Sequence, residues 1–401
     1  MREVRRCGEK KLRNSRWTGG RRLARCGSST MSVSLFMPAH EGSSIRRVLD
    51  DHDDELTKLL APLVALREVE RRAINAFDIA HETAAAWEVN DATLRALLPL
   101  EPPLVVAVAS TDSQQAPQTR SEDAARKDVP AISYSSAAMV IAHLVRDWSA
   151  IGTRTRARTH RPVLRALRAR QQTLRRPLSV LVPGAGACRL AWEIARLGLG
   201  NRVEANDASA AMLVAARSVL VSVAPQQLTL HPNVRCASGV VRRSACLVAQ
   251  TIPDVLPRLD LPRTGASIGR GWRSRYRSAT AGTAVAPALT LQVGSWAAPQ
   301  TPPPPHGAAP GANATFDAVV TSYFLDTQAD PAAAIALVRS RLGPDGVWVN
   351  VGPLHWHEPS AGLLRLTLDE VKRFVRAVLP NYSRHAARTC SRLPLIALDC
   401  F

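Results

Sequence analysis

One stretch of this chain leaves little choice of fold. Residues 178–182 read LSVLV, a short apolar run with β-branched residues, and Pro183-Gly184-Ala185-Gly186 follows at once. A helical pattern then runs over 189–199, and Val203 and Glu204 lead into a second strand that ends near Asn206-Asp207, ahead of another helical stretch over 210–222. Strand, glycine turn, helix and strand in so short a span open a parallel sheet, because consecutive parallel strands need a crossover helix between them. Further along, 316–325 reads as a buried strand, 331–342 as a helix closed by Gly343-Pro344-Asp345-Gly346, and 347–351 (VWVNV) as another strand. The expected class is α/β, a Rossmann-like doubly wound sheet.

The glycine loop carries the first functional signal. The segment 183–189, PGAGACR, satisfies only the first two glycines of a G-x-G-x-x-G pattern, and tight turns use glycine for backbone reasons alone. Its context sharpens it: the loop follows a strand, opens a helix, and Asp207 ends the next strand. A carboxylate there can accept from both hydroxyls of a ribose diol. The pattern points to an adenosine-type cofactor. A dinucleotide wants a third glycine for the approach of its pyrophosphate, whereas S-adenosylmethionine, which has no phosphate, does not. An N-terminal helical region is expected to precede the sheet.

The rest of the chain divides as follows. Residues 1–49 are expected to be a basic, disordered leader; 50–177 a helical region with a polar linker over 110–131; and 178–401 the Rossmann-like domain, carrying a low-complexity insertion at 263–315 with one strand, 288–293, inside it. Residues 1–30 hold ten Arg or Lys against two Glu and no apolar core, which excludes a secretory signal. They read as sequence upstream of a start at Met31, as an organelle transit peptide, or as a nucleic-acid arm. Leu56, Leu59, Leu60, Leu63, Leu66 and Val69 recur at helical spacing, continued by Ile74, Phe77 and Ile79, and suggest two packed helices. Residues 137–149 form another. Residues 154–176 hold nine Arg and no acid; Val163, Leu164, Leu167 and Leu174 mark a buried stripe, so the arginines read as a solvated face, with a phosphate-facing patch as the alternative.

Composition excludes other classes. With 46% hydrophobic residues the chain is too apolar to be disordered throughout. No run of 18 apolar residues supports a membrane span. The net charge is +19, but only five of the 52 basic residues are Lys, a bias that fits arginine-rich coding as well as a polyanionic partner. Seven scattered Cys make no zinc spacing and read as reduced thiols, which points to the cytoplasm, with the nucleus and an organelle left open. His355 and His357 flank Trp356 without a third ligand at matching spacing, so no metal site is expected.

Several segments together resemble the N2227-like, or carnosine N-methyltransferase, family. VLVPGAGACRLAWEIARLG (180–198) and VEANDAS (203–209) are similar to that family's VPGAGLGRLAWEIA loop and GNE-x-S step. LVRDWSAIG (144–152), TIPDV (251–255), YFLDT (323–327) and LGPDGVWVNVGPLHWH (342–357) continue the resemblance over about residues 140–380. It implies the Rossmann-like class I S-adenosylmethionine-dependent methyltransferase fold, and an enzyme that moves the methyl of S-adenosylmethionine to an imidazole nitrogen of carnosine, giving anserine. By the same resemblance Arg146 would contact the cofactor carboxylate, with His143 standing where the family has Gln. Gly184 and Gly186 would lie against the cofactor and Asp207, in place of Glu, would hold the ribose. Ser322 would line the cofactor site, and Ser295 with Trp296 would stand at the adenine step, where the family has G-D-F. Asp326 would be the catalytic and substrate-binding acid, and His357 a substrate-pocket residue. The sequence departs from the family where Cys188 replaces a third glycine, where Ser295 replaces an acid, and where C-terminal pocket tyrosines find no match. A protein histidine or RNA as acceptor, or a non-catalytic binding module, remain the alternatives. The implied partner is a histidine-containing dipeptide; no membrane or nucleic-acid partner is expected, and a homodimer stays open.

The chemistry suits the residues. A free imidazole, with a pKa near 6.5, is mostly neutral at pH 7 and already nucleophilic. It needs the right tautomer, and a carboxylate accepting from the far ring N–H leaves the near lone pair free. Asp326, following a strand of the sheet, is where such folds bind ligands.

Overall fold

The computed structural model describes residues 32–38, 41–99, 136–234, 243–255, 257, 288–296, 315–328, 330–356 and 365–378. The expected leader at 1–30, the polar linker at 110–131, most of the 263–315 insertion and His357 lie outside the described residues.

The α/β expectation holds. Six parallel strands, β1 (Ser32–Phe36), β2 (Leu178–Pro183), β3 (Gly200–Asp207), β6 (Ala288–Val293), β7 (Phe316–Ser322) and β8 (Leu342–Val351), form one sheet in the order β1-β6-β3-β2-β7-β8. Two three-residue strands, β4 (Leu228–Leu230) and β5 (Gln250–Ile252), pair antiparallel beside it. The helices are α1 (Gly42–Val64), α2 (Glu68–Ala73), α3 (Ala76–Leu97), α4 (Ala137–Trp148), α5 (Thr153–Leu174), α6 (Arg189–Arg196), α7 (Ala210–Ser222), α8 (Arg243–Cys246), α9 (Pro331–Arg341) and α10 (Leu368–Val378). Among the described residues no helix is long and apolar enough to cross a membrane.

Strand alternation builds the two layers of core. Val180 and Val182 of β2, Ala318 and Val320 of β7, and Val349 and Val351 of β8 join a large cluster with α4, α5, α6 and α7. Their neighbours Leu181, Val319 and Trp348 belong to a second cluster with Ile335 and Val338 of α9 and Val371 and Val375 of α10. The period of two sends successive side chains to opposite faces, so strands apolar at nearly every position are covered on both sides. From β2 the chain winds through α6 to β3 and later β6, then returns to β7 on the other side of β2. The switch in direction falls between β2 and β7, and the crevice at the carboxyl ends of those strands is where such sheets bind ligands.

Four expectations need correction. The leader does not extend to residue 49: SVSLF at 32–36 is an edge strand parallel to β6, and α1 already begins at Gly42. The two expected helices over 50–100 are three, and the apolar stripe is buried only in part. Leu56 and Leu59 are half-buried against Ala86, Trp87 and Val234, whereas Val69 and Phe77 are 69% and 82% exposed. The Gly343–Gly346 turn lies inside the β7/β8 ladder rather than before it. Phe316 pairs with Leu342 and Ala318 with Val347, so the turn is accommodated as a bulge, and a Cβ at Gly346 would fall 2.9 Å from the Phe316 carbonyl oxygen. Finally, Cys246 is disulfide-bonded, so the thiols are not all reduced; spacing along a chain does not reveal which sulfurs meet in space.

Candidate functional site

The loop after β2 is shaped by three left-handed residues, Gly184 (φ 61°), Gly186 (φ 55°) and Cys188 (φ 62°). The sequence has Cys at the third position, but the backbone keeps the conformation a glycine would take, at a cost of about 1 kcal/mol. At Gly184 a Cβ would lie 2.2 Å from Phe324 Cδ2, and at Gly186 one would lie 2.9 Å from His143 Nδ1. The loop therefore runs so close to its neighbours that side chains at these two points have no room. Ala185 donates its N–H to the Asn206 carbonyl, and the Trp148 indole donates to the Ala187 carbonyl at 2.8 Å, tying the loop to β3 and to α4.

Asp207, the last residue of β3, faces this loop. Its carboxylate accepts from the Gly186 and Ser209 N–H groups, each at 2.9 Å. Burial pushes its pKa above the ordinary carboxylate value, and those two N–H groups pull it part of the way back. Beyond it, the Gly294 N–H donates to the Asp207 carbonyl and Asn206 Nδ2 donates to the Gly294 carbonyl. Ser295 is thereby held beside the end of β3. Trp296 is buried; its ring meets Phe324 edge-on at 5.3 Å and its indole N–H donates to Gln328 Oε1.

From the other side α4 brings His143 and Arg146, one turn apart on one face. Arg146 is 30% exposed and donates to the buried Asp147 through Nε (2.7 Å) and Nη2 (3.2 Å). Burial by itself would raise the Asp147 pKa; the charge and hydrogen bonds of Arg146 outweigh it and hold it below the ordinary value. The Arg146 guanidinium also lies 5.5 Å from the centre of the Tyr323 ring, a cation–π distance. His143 Nδ1 is buried with no hydrogen-bond partner among the described residues. Burial, reinforced by the charge of Arg146, pushes the His143 pKa down to about 4, so the ring is neutral at pH 7. Arg146, Gly184 and Ser322 line one narrow cleft, together with Asp147, Tyr323 and Thr155, Thr159 and His160 of α5.

Asp326 follows β7, in a single 3-10 turn, Leu325–Thr327. It is buried, and its Oδ2 accepts the backbone N–H of His355 at 3.1 Å, which joins the loops after β7 and β8. The structure thus gathers His143, Arg146, Gly184, Gly186, Asp207 and Ser322 around the glycine loop, with Ser295 beside Asp207 and Asp326 on the neighbouring loop. Trp296 is committed to packing against Phe324. Sequence reasoning missed Asp147, Tyr323 and Phe324. Tyr323 carried a signal, since it directly precedes Phe324-Leu325-Asp326 in YFLDT; its left-handed backbone (φ 54°) and its place under Arg146 emerge only in the fold.

A family model described as carnosine N-methyltransferase matches residues 124–385. The chain is 25% identical over 264 residues to carnosine N-methyltransferase of Rattus norvegicus, covering 63% of this chain and 57% of that protein. It is 26% identical over 235 residues to carnosine N-methyltransferase unmet of Drosophila melanogaster, covering 57% and 44%. The Schizosaccharomyces pombe carnosine N-methyltransferase is 26% identical over 241 residues, covering 59% and 56%. The chain spans about half the length of the curated relatives it matches.

Proposed function

The chain belongs to the carnosine N-methyltransferase family, and from that premise we propose that it is an S-adenosylmethionine-dependent N-methyltransferase that methylates the imidazole of carnosine to give anserine. The observation that carries the reading is the meeting of Arg146, Gly184, Gly186 and Asp207 at the carboxyl ends of β2 and β3, with a buried carboxylate, Asp326, following β7.

The residues fit this cofactor. Gly184 and Gly186 keep the loop free of side chains between Phe324 and His143, and the unpartnered His143 Nδ1 stands beside Gly186. Asp207 would accept from the ribose hydroxyls, since a carboxylate has about four acceptor positions and the Gly186 and Ser209 N–H groups take two. Arg146 would pair with the methionine carboxylate, braced by Asp147 on one side and Tyr323 on the other. Neutral His143 would supply a hydrogen-bonding nitrogen where the family has Gln. Ser295 lacks a charge for the adenine amine, so Ser295 would contribute a weaker contact. When bound, S-adenosylmethionine supplies the electrophilic methyl group.

The remaining work belongs to the protein. Asp326 would accept the N–H of the acceptor's far ring nitrogen, leaving the near nitrogen's lone pair aimed at the reaction centre. The same carboxylate stabilises the positive charge that develops on the ring. The His355 N–H fixes the carboxylate's orientation from the β8 side. The ring proton then leaves to solvent, restoring the neutral product. His357 would contact the dipeptide. The test is transfer of labelled methyl to carnosine by the full chain, with Asp326→Asn alongside. Asn can turn an N–H toward the ring, so kcat is expected to fall by at least about 100-fold, with affinity for the demethylated cofactor unchanged. Methylation of carnosine by the Asn variant at the wild-type rate would remove Asp326 from the chemistry, and no labelled anserine from the wild type would remove the substrate.

A further inference from the structure

The TIPDV segment (251–255) has no part in the methyl-transfer reading, yet its aspartate stands at the centre of a buried polar network. Asp254 follows β5, and its side chain is 13% exposed. One carboxylate oxygen meets Arg189 Nη1 of α6 at 2.7 Å, and the other pairs with Arg156 Nη2 of α5. Both arginines are buried. Asp254 itself is not among the residues that line the cleft.

What the network holds is one turn of backbone. A helix leaves its last carbonyls without intrahelical partners. At the end of α4 they are met in succession from this network. The Arg146 and Ser149 carbonyls accept from Arg156 Nη1 at 2.8 and 2.9 Å. The Asp147 carbonyl accepts from Arg189 Nη1 at 3.3 Å, and the Trp148 carbonyl accepts the Asp254 N–H at 2.6 Å. Gly152 clears the way, since a Cβ there would lie 2.5 Å from Arg156 Nη1. The turn so held carries Arg146, which lines the cleft. The network also reaches the α5 side of the cleft. Arg189 Nε donates to Glu193 Oε1 at 2.9 Å, and Glu193 Oε2 meets Nδ1 of the cleft residue His160 at 3.0 Å. Neutralising two guanidinium groups would not require this arrangement. Fixing the backbone from residue 146 to residue 149 does, and it leaves the Arg146 side chain one root from which to enter the cleft.

We propose that Asp254 is a positioning residue for the cofactor's carboxylate: through Arg156 and Arg189 it fixes the end of α4 and so aims Arg146, an inference that rests on the reading of Arg146 as the receptor of that carboxylate. Loosening the turn would leave Arg146 in its receiving arrangement for only a fraction of the time. Apparent affinity falls by that same fraction, so an arrangement kept about one-tenth of the time corresponds to a loss of about tenfold. The loss is confined to ligands that carry the carboxylate.

The experiment uses the full chain and calorimetric titration with S-adenosylhomocysteine and with methylthioadenosine, which keeps the adenosine and the sulfur but lacks the amino-acid head. The ratio of the two affinities reports the head-group contact. Asp254→Asn keeps the shape and removes the charge that the two arginines share. Its affinity for S-adenosylhomocysteine is expected to fall about tenfold, with that for methylthioadenosine unchanged. Arg146→Gln should lower the ratio as well. In that background Asp254→Asn should have no further effect on either ligand, because both changes act on one contact. Arg156→Lys serves if Asp254→Asn fails to fold: it keeps a charge for Asp254 but cannot also span two carbonyls. It should show the same selective loss, again absent in the Arg146→Gln background. Equal losses for the two ligands overturn the proposal and leave Asp254 a stability residue. An unchanged ratio in a folded Asp254→Asn variant overturns it too, as does a selective loss that persists in full alongside Arg146→Gln. If Arg146→Gln alone leaves the ratio unchanged, or the wild type binds neither ligand, the carboxylate-receptor reading fails and the proposal falls with it.

Discussion

Replacing Asp207 tests the cofactor assignment with a magnitude that the geometry supplies. Its carboxylate holds two backbone N–H groups, Gly186 and Ser209, each at 2.9 Å. A hydrogen bond to a charged acceptor contributes about 1.5–3 kcal/mol. Asp207 is half-buried, so water can reach the freed donors in Asp207→Ala, and the loss of stability should lie toward the low end, about 3–4 kcal/mol in all. Affinity for the demethylated cofactor should fall further than stability accounts for, because the two ribose hydroxyls lose their acceptor as well. A drop of about 100-fold, or roughly 2.7 kcal/mol, is expected. Asp207→Asn separates the two effects. It keeps the shape and one oxygen, but turns an amide N–H toward one of the two donors, so it should cost about 1–2 kcal/mol in stability and about tenfold in affinity. Urea denaturation gives the first quantity and calorimetric titration the second, on the same preparations. If the Asn variant binds as tightly as the wild type, Asp207 is a loop-organising residue only and the ribose must be held elsewhere.

Other consequences are open to direct measurement. The unfolded chain protonates residue 143 near pH 6.5 while the folded chain holds it neutral to about 4. Between these values the unfolded state binds the extra proton, so stability should decline as pH falls from 6.5 toward 4, by at most about 3 kcal/mol. His143→Gln should flatten that slope, which melting curves at half-unit pH steps would reveal; an unchanged slope would mean the ring is solvated. Gly184→Ala should cost about 2–4 kcal/mol through its positive φ and its 2.2 Å approach to Phe324, with partial recovery on adding Phe324→Leu, read from urea midpoints. Arg189→Met should cost about 3–5 kcal/mol, because Arg189 pairs with both Asp254 and Glu193 in a buried setting; a loss under 1 kcal/mol would show the pairs to be dispensable.

How much was legible in the sequence depended on how local each signal was. The β2–α6–β3 unit could be read because strand, glycine turn, helix and acid follow one another within thirty residues, and each choice is a local one. Strand β1 could not. SVSLF alternates as an edge strand should, but it follows an arginine-rich stretch, and its partner β6 lies some 250 residues later, inside a low-complexity insertion. The antiparallel β4/β5 pair failed for a related reason: three-residue strands carry too little periodicity to be seen. Along α1 and α3 the helical spacing was correct, yet spacing reports only which residues share a face. Whether anything covers that face is decided by tertiary placement: Leu56 and Leu59 pack against Ala86, Trp87 and Val234, while among the described residues Val69 and Phe77 stay exposed.

The site shows the same division, and also why widely separated motifs travel together. Arg146, Gly184, Gly186 and Asp207 were visible as residue types in a pattern; what aims Arg146 was not. Arg189, just past the glycine loop, lies between the Trp148 and Trp192 rings at 4.9 and 4.8 Å and bonds Asp254, Glu193 and the Asp147 carbonyl. Arg156 pairs with the same Asp254 and donates to the carbonyls of Arg146 and Ser149 at 2.8 and 2.9 Å. Gly152 must be glycine because a Cβ there would meet the Arg146 carbonyl oxygen at 1.8 Å. The segments VRDWSAIG, RLAWE and IPDV are therefore parts of one buried polar joint that fixes the end of α4 against the loop. Asp254 is shared by Arg156 and Arg189 from two other segments, so removing it strands two buried positive charges. Read singly, each motif gives a helix or a turn. Only their meeting turns an arginine on a helix end into a candidate anion receptor at the sheet's switch point.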